Sequence, residues 1–317
     1  MKRILSIDGG GIKGMFPASF LATIEDSIGD RVANYFDLIV GTSTGGIIAL
    51  GLGLGFSAQE VATFYEDLGA KVFSGNVILR GIRQLIFAKY EHAQIKNALQ
   101  AQFGSRKLGE STNRLVIPAL NLETGEVHIF KTAHHPRFER DYKERAVDVA
   151  LATASAPTYF PAHLLPSGTP LVDGGLYANN PVGLAAVEAI AVLEWPRESL
   201  QILSIGCTTT PMSINLARRS GLGYFYWGPR VAEVFMTAQS SVSYGMAKLL
   251  VGPANLIRIN PTMENGRFSL DSTKEIRSLK GLGSTEARKL YPDLKERFFS
   301  TPADQFIPYK NFKVNFK

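Results

Sequence analysis

Apolar positions along the chain come in two alternating textures. Short, nearly unbroken runs sit around residues 3–7, 36–40, 115–120, 127–130, 171–172, 201–205 and 256–259. They are too short for helices and read as buried strands. Between them lie stretches with helical periodicity, at 15–28, 57–70, 91–103, 145–156, 182–193 and 231–250. Ser57 and Glu60 form a capping box, and Val61, Phe64, Tyr65 and Leu68 then share one face. The 145–156 helix is rich in alanine and stops at Pro157, and Asn179-Asn180-Pro181 caps the helix that follows. Strand and helix in alternation predict an α/β fold with a mostly parallel sheet. After about Thr208 the alternation loosens into a long amphipathic helix over 231–250 that carries Ser and Gln on one side. A late strand follows, then a helix from Thr273 and a further basic helix capped by Ser284. No repeat or linker divides the chain. The expectation is one domain over 1–317, with a core of about 1–206 and an elaborated helical C-terminal third of about 207–317.

Two strand ends carry candidate chemistry. The run Phe36-Asp37-Leu38-Ile39-Val40 ends in Gly41-Thr42-Ser43-Thr44-Gly45 and then opens a helix. That is the strand–turn–helix setting of a nucleophile elbow, in which flanking glycines allow the sharp turn that exposes a serine hydroxyl. An ordinary glycine-rich turn bearing a surface serine fits the same letters. The first strand runs into Asp8-Gly9-Gly10-Gly11-Ile12-Lys13-Gly14, a loop of bare backbone N–H groups at a helix start and hence an anion site. Gly9, Gly11 and Gly14 also match a dinucleotide fingerprint, but the next strand ends at Ser43 with no acidic residue to hold a ribose. A phosphate-binding P-loop needs Gly-Lys-Ser/Thr at its close, and here Lys13 precedes Gly14.

A serine nucleophile needs a base. The chain has five histidines, His92, His128, His134, His135 and His163, and none follows Asp173. A triad in the order serine, acid, histidine therefore cannot use Asp173. Asp141 or Asp148 with His163 would satisfy that order, although His163 sits between Pro161-Ala162 and Leu164-Leu165-Pro166 with no glycine turn to present it. Asp173 follows a strand and precedes Gly174-Gly175, so its carboxylate can approach another turn closely. A desolvated carboxylate gains basicity and can take a hydroxyl proton directly. Asp8 competes, but its place at the mouth of the glycine loop suits orienting the loop better than proton transfer. His134-His135-Pro136 has no metal-ligand spacing and reads as loop.

Composition adds limits. Hydrophobic residues at 45% and charged residues at 20% supply a sizeable core without disulfides or structural metals. The single Cys207 excludes an intrachain disulfide and reads as a small buried hydrophobe near a strand end. The apolar run after Met1-Lys2-Arg3 is too short for a signal peptide. No stretch approaches the ~20 apolar residues of a membrane span, so a cytoplasmic protein is expected. A formal net charge of +6 suits an anionic partner, whether membrane surface, nucleotide or nucleic acid, without choosing among them. Arg218, Arg219 and Arg230 surround Tyr224, Phe225, Tyr226 and Trp227. That set offers cations to phosphates and rings to bases, suits an anionic lipid interface equally, or packs its rings in a core. Residues 80–89, with Arg80, Arg83 and Lys89 among Ile82, Leu85, Ile86 and Phe87, read as an amphipathic segment packed on the body or as a membrane-facing lip.

Taken together, Asp8-Gly9-Gly10-Gly11-Ile12-Lys13-Gly14, Gly41-Thr42-Ser43-Thr44-Gly45, the Ala-Ser-Ala-Pro-Thr-Tyr-Phe-Pro run at 154–161, and Asp173-Gly174-Gly175 resemble the patatin-like phospholipase family in order and spacing. The resemblance covers about the first two-thirds of the chain. It implies a three-layer α/β/α fold, a Ser43–Asp173 dyad, an oxyanion hole at Gly9, Gly10, Gly11 and Gly14, no required metal or cofactor, and hydrolysis of membrane phospholipid acyl esters. Lys13 departs from the arginine common in the family, which keeps the cation and loses the planar fork. The basic, aromatic C-terminal third is more specifically similar to the patatin-like effectors of bacterial anti-phage (CBASS) signalling, phospholipases switched on by a cyclic oligonucleotide that degrade the host's own membrane. That likeness implies a cyclic dinucleotide activator held by Arg218, Arg219, Trp227 and Arg230, action at the inner face of the membrane, and no nucleic-acid partner. A homo-oligomer is compatible with it. A constitutive lipase or esterase, and a non-catalytic nucleotide-binding module, are the alternative functions.

Overall fold

Eight strands form one sheet in the computed structural model, which describes residues 1–72, 92–209, 227, 231–263 and 276–310. Strand β1 (Lys2–Ile7) lies at its centre, flanked by β2 (Leu38–Gly41) and β7 (Leu200–Ile205), both parallel to it. Strand β8 (Leu256–Ile259) extends the parallel side beyond β7. On the other side β3 (Arg114–Asn121) runs parallel to β2. The margin beyond it turns antiparallel, with β4 (Val127–Lys131) and β6 (Pro170–Asp173) on β3, and β5 (His163–Leu164) on β6. The sheet is thus parallel through its centre and mixed at one edge.

Strand side chains alternate between two apolar layers, as the pleat requires. Leu5, Ile7, Ile39, Leu115, Ile117, Leu203 and Ile205 enter the larger layer. There they meet α1 (Met15–Ile28), α2 (Thr44–Gly53), α3 (Ala58–Val72), α4 (His92–Phe103), α5 (Ala146–Ala154) and, late in the chain, a helix at Ile276–Phe298. Ile4, Leu38, Val40, Val116 and Ile202 enter the smaller layer. It is closed by α7 (Val182–Val187), which follows the single turn α6 (Gly175–Ala178), and by α8 (Val231–Val251). The three-layer α/β/α arrangement follows.

Two expectations change. The 182–193 helix is regular only to Val187 and then widens into a π-helical turn, Glu188–Val192. Glu188 there accepts from Lys131 at 2.6 Å and pairs with His134 at 2.9 Å. Ser284 caps nothing: it lies inside the unbroken helix α9 (Ile276–Phe298), where its hydroxyl meets Ser19 at 3.0 Å and Thr23 at 3.1 Å on α1. Thr273 falls outside the described residues. The capping box does form, with Glu60 N–H donating to Ser57 Oγ at 3.1 Å and Ser57 N–H to Glu60 Oε2 at 2.7 Å.

One detail of the sheet positions everything that follows. Val116 pairs with β4 and β2 together, and Ala119 with β4 and β6 together. Hence β2 and β6 share one edge of β3, opposite β4. Strand β2 runs along β3 and β6 runs against it, so their C-terminal ends converge head-on near Pro118.

Candidate active site

The head-on meeting of β2 and β6 brings together two turns that are 130 residues apart in sequence. Ser43, just past β2, has φ 55° and ψ −120°. Its backbone therefore sits in a region that non-glycine residues seldom occupy, and such strain persists only where neighbours hold it. The flanking glycines are fixed by contact. A Cβ on Gly41 would lie 2.1 Å from Gly45 O, and one on Gly45 would lie 2.3 Å from Ile7 O. Ser43 N–H donates to Thr153 Oγ1 at 3.0 Å, and Thr153 donates to Pro118 O at 2.6 Å. Pro118 has no N–H to leave unpaired at the point where β3 changes partner.

Ser43 Oγ donates to Asp173 Oδ2 at 2.6 Å, and Asp173 Oδ1 accepts from Gly175 N–H at 2.7 Å. Both residues are buried. Burial pushes the Asp173 carboxyl up from 3.8 to about 6, against the opposing pull of its bonds from Ser43 and Gly175. A carboxylate with that proton affinity is ionised near neutrality and still basic enough to take a proton in a transition state.

The glycine loop closes over this pair. A Cβ on Gly9 would lie 3.2 Å from Ser43 Cβ and 2.5 Å from Asn179 Oδ1. Its N–H donates to Asn179 O at 2.8 Å, so Gly9 walls the site and is not one of its donors, in contrast to the expectation. Gly10 packs where a Cβ would lie 2.4 Å from Cys207 Cβ. Gly11 has φ 57°, a backbone that glycine adopts freely. Among the described residues the N–H groups of Gly10 and Gly11 have no protein acceptor. Gly14 lets the loop cross Thr44, whose Oγ1 would lie 2.2 Å from an added Cβ.

Asp8 is engaged elsewhere. Its two carboxylate oxygens take both Nη atoms of Arg258, with Nη1 at 2.8 Å from Oδ1, and Nη1 also reaches Ser204 Oγ at 2.8 Å. Burial raises the Asp8 pKa, and Arg258 works against that rise. Asp8 thus ties the start of the glycine loop to β8. His163 Nε2 lies 3.2 Å from Asp148 Oδ1, and that bond holds the Asp148 pKa down. The ring is turned to Asp148, while Ser43 Oγ bonds Asp173 and Asp173 takes the Gly175 N–H. Among the described residues no group of His, Cys, Asp or Glu could hold a metal ion, and no helix is long and apolar enough to cross a membrane.

The supporting roles of several residues escaped the sequence reading. Thr153, Asn179, Arg258 and Gln239 each act at long range. Gln239 on α8 accepts from Asn179 N–H at 2.8 Å and so steadies the segment that caps Gly9. Asn179 was read only as part of a helix cap and Gln239 only as part of a polar helix side, while Arg258 stands as a lone cation in the apolar run Leu256-Ile257-Arg258-Ile259. Arg218, Arg219 and Arg230 lie outside the described residues, as does 80–89, while Trp227 is described and half-buried.

Comparison with known proteins bears on the same elements. A family model described as patatin-like phospholipase matches residues 5–186, from β1 into α7. A Pseudomonas aeruginosa protein named cGAMP-activated phospholipase is 32% identical over 291 residues, covering 90% of this chain and 85% of the relative. Proteins of the same name from Escherichia coli and Vibrio cholerae are 34% and 35% identical. They cover 77% of this chain each, and 74% and 76% of those relatives.

Proposed function

Because the chain belongs to the patatin-like phospholipase family, we propose that it hydrolyses phospholipid acyl esters through Ser43 and Asp173, under the control of a cyclic dinucleotide. The observation that carries the chemistry is the 2.6 Å bond from Ser43 Oγ to Asp173 Oδ2. Asp173 takes the hydroxyl proton as Ser43 Oγ attacks the ester carbonyl. The C=O electron pair moves onto oxygen, where the N–H groups of Gly10 and Gly11 receive it, each such donor contributing ~3 kcal/mol to transition-state stabilisation. Collapse breaks the ester C–O bond, and Asp173 returns its proton to the departing lysolipid oxygen. Water, deprotonated by Asp173, then attacks the acyl-serine carbonyl; the acyl–Oγ bond breaks, Asp173 returns that proton to Ser43 Oγ, and the fatty acid leaves. Arg258 counterbalances the Asp8 carboxylate, so the loop presents its donors without a bare negative charge beside them.

Control by a cyclic dinucleotide rests on the three relatives named for activation by cGAMP. The substrate places the enzyme's work at a membrane surface, and a cytoplasmic second messenger places it at the inner face. The test is hydrolysis of a fluorogenic phospholipid by purified protein, with and without a panel of cyclic dinucleotides. Ser43→Ala and Asp173→Ala each abolish turnover, whereas His163→Ala retains it. Near-normal turnover in Asp173→Ala would refute the dyad. Activity indifferent to every nucleotide would leave a constitutive lipase.

A further inference from the structure

Helix α8 is apolar on two sides: Ala247 and Val251 are buried in the smaller layer, and a second apolar stripe faces outward. A surface helix normally turns its apolar stripe to the core and its polar residues to solvent. Here several polar side chains are used inward, beside the buried Ala247 and Val251. Gln239 bonds Asn179 N–H and the Leu176 carbonyl, Ser240 accepts from Asn180 Nδ2 at 3.1 Å, and Ser243 accepts from Gly183 N–H at 2.9 Å. Phe235, Val242, Met246 and Leu249 meanwhile stand out by 70%, 60%, 52% and 87% of their surface. Their spacing of 7, 4 and 3 residues aligns them on one face. At 1.5 Å per residue the stripe is about 21 Å long. Leu176 and Val187, exposed by 51% and 44%, lie on the neighbouring elements α6 and α7 that α8 packs against.

The stripe leads to the candidate active site. Leu176 follows Gly175, whose N–H holds Asp173, and the Leu176 carbonyl accepts from Gln239 at 3.3 Å. An apolar band therefore runs from the turn that carries Asp173 along the outside of α8. We propose that this band is the surface on which the protein sits in a lipid bilayer, with the apolar side chains among the acyl chains and the Ser43 turn facing the ester layer. The inference rests on the phospholipase reading, since a phospholipid substrate is delivered from a bilayer. Charge agrees with it. Over its 21 residues α8 carries only Glu233 and Lys248, so no charge interrupts the stripe. Lys248, exposed in the last turn, can lay its stem along the acyl layer and reach an anionic headgroup. A second copy of the chain is a poorer occupant. The α8 part of the band, one helix wide and about 10 Å by 21 Å, offers on the order of 200 Å², to which Leu176 and Val187 add only two side chains, against the ~800 Å² per partner of a stable protein interface.

The experiment separates docking from chemistry. Binding to vesicles of phosphatidylethanolamine and phosphatidylglycerol in equal parts is measured by co-sedimentation in a Ser43→Ala background, where the lipid stays intact. Met246→Glu/Leu249→Glu is expected to weaken binding by about 100-fold or more. Val242→Ser/Leu249→Ser, which adds no charge, is expected to weaken it by about 10-fold. In the active background, with cyclic GMP–AMP present, both variants should lose vesicle hydrolysis in step with binding. They should keep turnover of a soluble short-chain ester within about twofold, as expected for residues outside the chemistry. Unchanged vesicle binding would overturn the proposal. So would a changed oligomeric mass, which would make the stripe a self-interface, or a lowered melting temperature, which would make it a seat for the protein's own chain. If the parent protein fails to hydrolyse even the soluble ester, the dyad reading fails, while the binding measurement still judges the stripe.

Discussion

Asp173→Asn should stabilise the protein while silencing it. Folding raises the Asp173 carboxyl from its ordinary 3.8 to about 6, chiefly because burial disfavours the charge. Between those two values the folded protein holds a proton that the unfolded chain has released. Stability contributed by this group is therefore present below about pH 4 and is lost as pH rises through about 6. At about 1.4 kcal/mol per pH unit of displacement, the loss amounts to about 3 kcal/mol. Asparagine keeps the shape, can accept from Gly175 N–H through its carbonyl and can donate to Ser43 Oγ, yet it never ionises. Urea denaturation across a pH series should find the variant more stable than the parent by up to about 3 kcal/mol near pH 8, with the gap closing toward pH 4. Parent turnover of a soluble ester should climb through about pH 6 as Asp173 ionises, and the variant should show none. Parent and variant stability curves that run parallel across this range would refute the burial account of Asp173.

Gly10→Ala should cut turnover of a soluble ester by about 100-fold or more, because its new methyl would overlap Cys207 Cβ and push an oxyanion donor aside. Cys207→Gly in the same chain should restore part of that loss, and no restoration would mean that the methyl acts on something other than Cys207. Arg258→Met leaves the buried Asp8 carboxylate without its partner and should lower stability by about 3–5 kcal/mol in urea denaturation. Adding Asp8→Asn should recover most of it, and an unrecovered deficit would show that Arg258 matters through packing alone.

The two turns at Ser43 and Asp173 were legible because each is a local pattern. Close backbone approach demands glycine, and glycine leaves a visible mark in sequence. What brings the turns together was not legible. It depends on β3 handing one edge from β2 to β6 at Pro118, and a partner change within a strand has no periodicity to betray it. The 281–284 run Gly-Leu-Gly-Ser shows the opposite failure. By propensity it breaks a helix, yet α9 passes through unbroken. A Cβ on Gly283 would lie 2.5 Å from Phe16 O, so the glycine is there to let α9 approach α1, and Ser284 bonds across the contact. Tertiary packing overrode local preference, and only the partner helix could reveal it.

Helix α8 extends that lesson to function. Its periodicity identified an amphipathic helix with Ser and Gln on one side, but periodicity states the angle between two faces and not which of them meets the protein. Asn179, Asn180 and Gly183 decide the matter by engaging Gln239, Ser240 and Ser243. Those same bonds steady the segment whose Asn179 carbonyl holds Gly9 beside Ser43. The polar side chains of α8 are thus tied to the geometry of the nucleophile, and with Ala247 and Val251 buried beside them the stripe of Phe235, Val242, Met246 and Leu249 is left outward. Because one rigid helix carries both, a lipid surface that seats α8 would also brace the loops around Ser43. Gln239→Leu should separate the two effects: vesicle binding is retained because the outer stripe is untouched, while kcat on the soluble ester falls because Asn179 N–H loses its acceptor. A variant that instead lost binding and kept kcat would break the link between the helix's two faces.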